Sequence, residues 1–290
     1  MVVSDSLERV LVIGATGNIG RHVVGQLAAR GRRVRAMTRN VEGAGLPEGV
    51  EVVQGDLTVP GTLDRSLEGV EAVFLVWTAP AAAAEAALER IARRARRVVF
   101  LSAPLKTPHP FFQQPNPGRE RAMHMERLIE GSGMAWTFLR PGMFALNARH
   151  FWGPQIRAGD VVRWPYLMAP TAPIDERDIA AVAVRVLGEA GHAGRDYVLT
   201  GPESLTQGEQ IAIIGEGIGR RLRIEEVSAE EARRTCLAGM PASAAGMLLD
   251  AWAAAVGQPA YVTGTVGELT GAGARAFSEW VRENGAAFGA

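Results

Sequence analysis

Gly14-Ala-Thr-Gly17-Asn-Ile-Gly20 sets three glycines three residues apart. The run follows the apolar stretch Val10 to Ile13 and opens a segment with helical apolar spacing (Ile19, Val23, Val24, Leu27, Ala28). Residues so placed can hold a diphosphate. Gly14 permits a sharp exit from a strand, Gly17 lets main-chain N–H groups approach the ligand with no Cβ in the way, and Gly20 lets the helix lie close to the sheet. The ligand would rest on the unpaired N–H groups of the helix N-terminus, favoured by the helix dipole.

The residues downstream indicate which dinucleotide. A free ribose hydroxyl calls for a carboxylate about 20 residues after the turn. No Asp or Glu occurs between Gly14 and Val41. The second apolar segment ends instead in Met37-Thr38-Arg39-Asn40, and Arg39 presents a planar cationic donor where a 2′-phosphate would lie. Arg21 and Arg35 are candidates to assist it. The pattern therefore favours NADP(H). Gly55-Asp56-Leu57 follows the third segment. Asp56 is a candidate acceptor for an adenine amine and Leu57 a candidate wall for the ring; an Asx-turn or helix cap is the alternative use of Asp56.

These residues need a scaffold, and the first half of the chain supplies one. Val10–Ile13, Val34–Thr38, Val50–Gln54, Ala72–Trp77, Val98–Ser102 and Trp136–Leu139 read as short apolar strands. Helical segments separate them: one ending at Gly31 as its C′ residue, then 63–67, 81–96 with a Glu89–Arg93 pair, and 119–130. This rhythm predicts an α/β fold with a Rossmann-type, doubly wound parallel sheet. After Arg140 the pattern breaks at Pro141-Gly142 into a loop-rich stretch. Helix starts then recur with capping spacing at Asp175–Asp178, Thr206–Glu209, Ser228–Glu231 and Thr265–Glu268, with strand candidates at 197–200 and 222–227. The expected division is an NADP(H)-binding Rossmann domain over residues 1–150 and a smaller, mostly helical lobe over 151–290, interleaved with the core and closing a substrate cleft.

Composition removes several function classes. The chain has 290 residues, with 31 basic and 31 acidic side chains. Such a balance gives no electrostatic footprint for nucleic acid or an anionic membrane. No apolar run reaches the roughly 18 residues of a membrane span, and Met1 to Arg9 lacks a signal-peptide core. The single cysteine, Cys236, cannot form an intrachain disulfide and reads as a packed apolar residue. A cytoplasmic setting is the expectation. None of the five histidines has metal-ligand spacing, so no metal is expected.

Together, the glycine run, Arg39, Gly55-Asp56-Leu57, Val73-Phe-Leu-Val76, Phe100-Leu-Ser102-Ala103, Thr137-Phe-Leu-Arg-Pro-Gly142, Pro173-Ile-Asp-Glu-Arg-Asp-Ile179 and Tyr197-Val-Leu-Thr-Gly-Pro202 resemble the NmrA-like branch of the atypical short-chain dehydrogenase/reductase superfamily. The resemblance implies that Gly14, Thr16, Gly17, Asn18 and Ile19 line the diphosphate. It implies that Arg39 meets the 2′-phosphate and that Asp56 and Leu57 meet the adenine. Trp77, Thr78 and Ser102 would flank the nicotinamide, and the segment from Pro141 and Gly142 to Phe144 would close over it.

The chain departs from catalytic members of the superfamily in one respect. Where they carry Tyr-x-x-x-Lys, the corresponding positions are Gly118 and Ala122, and none of the three tyrosines has a lysine four residues on. Ser102, to orient a carbonyl, and His124, to donate a proton near neutral pH, are the candidate catalytic residues. His109, Phe111, Phe112, Trp152, Trp164 and Tyr166 are expected either to rim a cleft for a flat apolar substrate or to serve as ordinary packing. The expected function is an NADPH-dependent oxidoreductase passing hydride to a small apolar or aromatic carbonyl, enone or quinone-type substrate. The alternative is a non-catalytic NADP(H)-binding redox sensor with a protein partner. Homo-oligomerisation is left open.

Overall fold

The computed structural model describes residues 9–104 and 106–289. Residues 1–8, most of the stretch read as lacking a signal-peptide core, lie outside the described residues. The chain begins β1 (Val10–Ile13), α1 (Gly20–Ala29), β2 (Val34–Thr38), β3 (Glu51–Gln54), α2 (Leu63–Ser66), β4 (Ala72–Leu75), α3 (Ala84–Ala92) and β5 (Arg97–Leu101). It continues with α4 (Pro110–Gln113), α5 (Pro117–Glu130), β6 (Ala135–Pro141), α6 (Asn147–Phe151), α7 (Gly153–Ala158), β7 (Val161–Trp164), β8 (Pro170–Thr171), α8 (Glu176–Gly188) and β9 (Arg195–Leu199). The remainder is β10 (Leu205–Thr206), α9 (Gln207–Gly217), β11 (Arg223–Glu226), α10 (Ala229–Arg234), α11 (Ala242–Ala255), α12 (Thr265–Thr270) and α13 (Phe277–Asn284).

These elements form two compact units. One comprises the chain up to Ala103 with Gly118–Arg140 and Glu176–Tyr197; the other comprises Pro104–Pro117, Pro141–Asp175 and the chain from Val198 on.

The first unit is built on a seven-stranded sheet of order β3-β2-β1-β4-β5-β6-β9. Every pair from β3 through β6 is parallel. The strands Val10–Ile13 and Ala72–Leu75 are buried along their whole length, because helices cover both faces of a doubly wound sheet. On one face α1 buries Val23, Val24 and Leu27 and packs on α8. On the other, Leu63, Leu67, Leu88, Ile91, Met125 and Ile129 join the inward side chains of the strands in one apolar cluster. Full burial of each such side chain contributes roughly 1.5–3 kcal/mol. Gly31 terminates α1 as the sequence implied: its N–H donates to the Ala28 carbonyl and the Arg32 N–H to that of Leu27, the Schellman pattern.

The second unit has its own core, in which Trp152, Trp164, Trp252, Phe277, Trp280 and Phe288 are all at most 2% exposed. Its strands are brief: β7 pairs with β11 in parallel and β8 with β10 antiparallel.

Two expectations on local structure need correction. The segment 81–96 is not one helix: a 3-10 turn over Ala81–Ala83 precedes α3, which ends at Ala92, although the Glu89–Arg93 pair forms as expected. Thr265 does not cap α12. The cap position belongs to Gly264 and no side chain accepts there, so the Thr-x-x-Glu spacing falls one residue inside the helix. Ser228 caps α10 by accepting from the Glu231 N–H, whereas Thr206 and Glu209 close a full reciprocal capping box on α9.

Candidate functional site

The glycine turn lies where the strand order reverses, between β1 and β4, at the carboxyl ends of the strands. In open α/β sheets this is where ligands bind. Gly14 has φ +85°, and a Cβ there would come 2.9 Å from the Cβ of Val76. A Cβ on Gly20 would stand 2.1 Å from the Gly14 carbonyl oxygen, so the helix can start this close to the strand exit only with glycine. Nothing caps α1: no side chain accepts from its first N–H groups, and its first turn has no acidic residue. An uncapped, uncompensated helix N-terminus offers its donors and its dipole to an anion. Arg21 braces the turn, donating to the carbonyls of Thr16 (2.8 Å) and Gly17 (3.3 Å).

In front of this turn is a cavity of about 380 Å³, lined from the ends of four strands. Ile13 ends β1, and Gly14, Thr16 and Gly17 follow it; Met37 and Thr38 end β2, and Arg39 and Asn40 follow it; Gly55 to Thr58 follow β3; Val76, Thr78 and Ala79 follow β4. Seven of the residues singled out in the sequence are among them: Gly14, Thr16, Gly17, Arg39, Asp56, Leu57 and Thr78.

Arg39 is exposed, and among the described residues its guanidinium makes no hydrogen bond or ion pair. The turn that carries it is braced instead. The Thr38 hydroxyl donates to the Asn40 carbonyl, the Asn40 side-chain oxygen accepts from the Glu42 N–H, and Gln54 donates to the Arg39 carbonyl. A cation on a fixed backbone, left open at a cavity wall, suits an incoming phosphate. Arg35 does not assist it, contrary to the sequence expectation. It is 5% exposed, donates to the carbonyls of Arg65, Ser66 and Glu68, and pairs with Glu51 at 2.9 Å. Position along the strand explains this: Arg35 lies within β2, beside Glu51 of β3 and the carbonyls at the end of α2, whereas Arg39 lies beyond the end of β2.

Asp56 takes the alternative the sequence left open. Its Oδ1 accepts from the Thr58 N–H and hydroxyl, both at 2.8 Å, as an Asx-turn does. The Thr58 N–H, then the Thr58 hydroxyl, and more weakly the Arg39 charge hold its carboxyl below the usual range. Leu57 is buried and forms part of the apolar floor.

The other sequence candidates lie elsewhere. Asn18 is exposed beside the turn, and the Ile19 side chain is buried at the start of α1, which leaves its main chain to serve the turn. Trp77 packs against the core of the sheet unit with its indole N–H buried and unpartnered. Ser102 donates to Glu126 Oε1 at 2.6 Å. Arg140, 1% exposed, grips the same carboxylate through Nε (3.0 Å) and Nη2 (2.8 Å), and reaches Asp196 through Nη1 at 2.9 Å. The hydroxyl proton of Ser102 is therefore taken, and Ser102 faces any ligand as an acceptor rather than a donor. His124 is half-buried on α5, and among the described residues its ring makes no hydrogen bond.

In the second unit, Pro141 is buried and the Gly142 N–H donates to the Leu199 carbonyl at 2.9 Å. Phe144 bridges to Ile174. His109, Phe111, Phe112, Gly142, Met143 and Tyr261 enclose a tight void of about 10 Å³. His109 Nδ1 accepts from the Phe111 N–H, and its Nε2 lies 3.0 Å from the Pro259 carbonyl, which makes Nε2 the protonated nitrogen. Trp152 and Trp164 are core residues, so for them the packing alternative holds. Burial raises the Cys236 thiol, which keeps it protonated.

The sequence reading missed the Ser102–Glu126–Arg140–Asp196 network, which is centred on the buried Glu126 and Arg140. Its one signal was the Leu-Arg-Pro-Gly segment, which marked Arg140 without giving it a role.

Residues 14–190 match the family model described as NAD(P)H-binding. The chain belongs to that family. The motif resemblance to the NmrA-like branch of the atypical short-chain dehydrogenase/reductase superfamily stands with it. Among the family's proteins, the chain is 42% identical over 286 residues to a (4-alkanoyl-5-oxo-2,5-dihydrofuran-3-yl)methyl phosphate reductase of Streptomyces griseus, covering 96% of this chain and 99% of the relative. It is 34% identical to an NAD(P)H azoreductase of Xenophilus azovorans, covering 97% and 99%. In fold it matches the NADPH-dependent quinone oxidoreductase of Escherichia coli solved with NADPH, with a TM-score of 0.77 at 22% identity over 94% and 99% of the two chains. The uncapped helix, the glycine cradle and the open arginine fit the family's dinucleotide. Among the described residues no helix is long and apolar enough to cross a membrane, and no cluster of metal-ligating side chains occurs.

Proposed function

We propose that the chain is an NADPH-dependent reductase that passes hydride to a small, conjugated, electron-poor acceptor such as an enone or quinone. The observation that carries the reading is Arg39, whose guanidinium has no partner among the described residues, on the wall of a cavity of about 380 Å³ where the second strand supplies no carboxylate. The Gly14–Gly20 turn would hold the diphosphate, Arg39 the 2′-phosphate, and Leu57 with Met37 the adenine face. When bound, the reduced nicotinamide supplies the hydride. Thr78 borders the same cavity; Trp77 beside it and Ser102 after β5 belong to the nicotinamide side by family resemblance.

The missing Tyr-x-x-x-Lys pair narrows the acceptor. A simple ketone needs an acid at its oxygen as hydride arrives. A quinone, an unsaturated lactone or an azo group spreads the incoming negative charge over a conjugated system and needs less. Those are the acceptor types named for the three relatives above. His124 is the proposed proton donor, because Ser102 has its proton on Glu126.

The test is consumption of NADPH, followed at the reduced-nicotinamide absorbance band, against quinones, enones, unsaturated lactones, azo compounds and simple ketones. Turnover of the conjugated acceptors with simple ketones inert is the expected result. Equal turnover of simple ketones would overturn the acceptor class. Tight NADPH binding with no turnover of any acceptor would shift the reading to a redox sensor, which requires NADPH and NADP⁺ to bind with different affinities.

A further inference from the structure

A second hollow adjoins the cofactor cavity. It measures about 600 Å³ and is lined by Arg39, Val41, Val52, Val53, Gln54, Gly55, Asp56, Gly61, Thr62 and Arg65. It runs along β3, the edge strand of the sheet, and shares Arg39, Gly55 and Asp56 with the cofactor cavity. Its charged walls are two arginines and one carboxylate, and that carboxylate already accepts twice from Thr58.

Arg65 is exposed on α2, and among the described residues its guanidinium makes no hydrogen bond and no close ion pair. The carboxylates of Asp64 and Glu51 are engaged by other cations. Asp64, next to Arg65 in the chain, is held through both oxygens by Arg90, at 2.7 and 2.6 Å. Glu51, which feels the Arg65 charge only weakly, is paired with Arg35. The backbone that carries Arg65 is nonetheless fixed, because buried Arg35 donates to the carbonyls of Arg65, Ser66 and Glu68 at 3.2, 2.9 and 2.8 Å. The arginine that sequence spacing offered as a phosphate ligand is instead a strut beneath a different one.

We propose that Arg65 is a second specificity determinant for a phosphorylated adenosine, holding the 2′-phosphate across this hollow from Arg39. The inference rests on the NADPH reading above and adds a residue to it. Two arginines on separately braced backbones, one after β2 and one after β3, offer a dianionic phosphate two positive charges on one hollow, whereas one exposed arginine competes with water and salt for the same group.

The experiment is equilibrium titration, by tryptophan fluorescence or calorimetry, of adenosine 2′,5′-bisphosphate, 5′-ADP, NADPH and NADH. The proteins are wild type, Arg39→Ala, Arg65→Ala and Arg65→Lys, each checked for unchanged thermal unfolding. Arg65→Ala is expected to weaken the bisphosphate and NADPH about tenfold, the lower end of what a hydrogen bond to a charged group contributes. ADP and NADH should stay within about twofold, since neither carries the group a charge-assisted bond would recognise. Arg65→Lys should restore part of the loss and flatten the salt dependence less than Arg65→Ala does. If Arg65→Ala binds all four ligands as wild type does while Arg39→Ala loses NADPH, the inference is wrong and the NADPH reading stands. Parallel weakening of NADH by Arg65→Ala would reduce Arg65 to a structural part and also overturn the inference. If wild type itself binds NADPH no tighter than NADH, the underlying reading fails.

Discussion

Two ends of the same sheet treat their arginines in opposite ways. Beyond β2 and β3, Arg39 and Arg65 stand exposed on walls of hollows, unpaired among the described residues. Between β5, α5, β6 and β9, Arg140 is buried, satisfied by two carboxylates, and lies 5.9 Å from the Phe138 ring centroid. A cation removed from water must be paired, or its desolvation cost goes unopposed. A cation left open at a concave wall gains nothing from the fold and is available to a ligand. The contrast teaches that an arginine's type and strand position do not reveal its task; the number of partners the fold has already given it does. Arg35, on the same strand as the turn of Arg39, belongs with Arg140 by this criterion.

The comparison can be broken most forcefully at its closed end. Arg140→Met strands Glu126 in the core with the Ser102 hydroxyl still on it but no cation, and should cost about 3–5 kcal/mol in urea unfolding. A loss under about 1 kcal/mol, the scale of a surface pair, would mean the network is not structural. Next comes the cradle. Gly20→Ala forces a methyl against the Gly14 carbonyl and should cost roughly 1–3 kcal/mol of stability, as overpacking does; dinucleotide titration should show weaker binding of NADPH and NADH alike. At the open end, Arg39→Ala should leave thermal unfolding unchanged and weaken NADPH by roughly 1–3 kcal/mol with NADH almost untouched. A drop in stability there would place Arg39 among the closed arginines.

The smallest effect is electrostatic. The Asp56 carboxyl is depressed in the folded chain, chiefly by the Thr58 N–H and then by its hydroxyl. Its contribution is thus present at neutral pH, above the unfolded value, and fades as pH falls through the depressed one. Thr58→Val removes only the hydroxyl, so carboxyl-carbon NMR should show Asp56 titrating at higher pH than in wild type yet still below an ordinary aspartate. An unmoved titration would assign the whole depression to the backbone bond.

Much of this was legible in one dimension. Apolar runs of four or five residues, each followed by a helical period, can bury both faces only in a doubly wound sheet, and that is how β1 to β6 are arranged. The glycine spacing located the turn because its demands are local: one positive φ at Gly14 and one close approach at Gly20. Segment ends were less legible. Thr206 and Thr265 begin the same Thr-x-x-Glu spacing, yet only Thr206 caps a helix, because a cap depends on where the preceding chain leaves the helix axis.

The sequence by itself determined the order of the strands' apolar runs, the phosphate cradle and the missing acid pair, since each follows from residue type and spacing over a few turns of chain. Only the tertiary structure decided the roles of Arg35, Arg65, Ser102, Trp152 and Trp164. Arg35 finds its partners 16 to 33 residues along the chain, Ser102 at 24 and Trp164 at 43; Trp152 joins a core assembled from distant elements; and for Arg65 the acids Asp64 and Glu51 already answer to other arginines. Whether a polar group is open or closed is a property of its three-dimensional neighbours, and no local pattern encodes it.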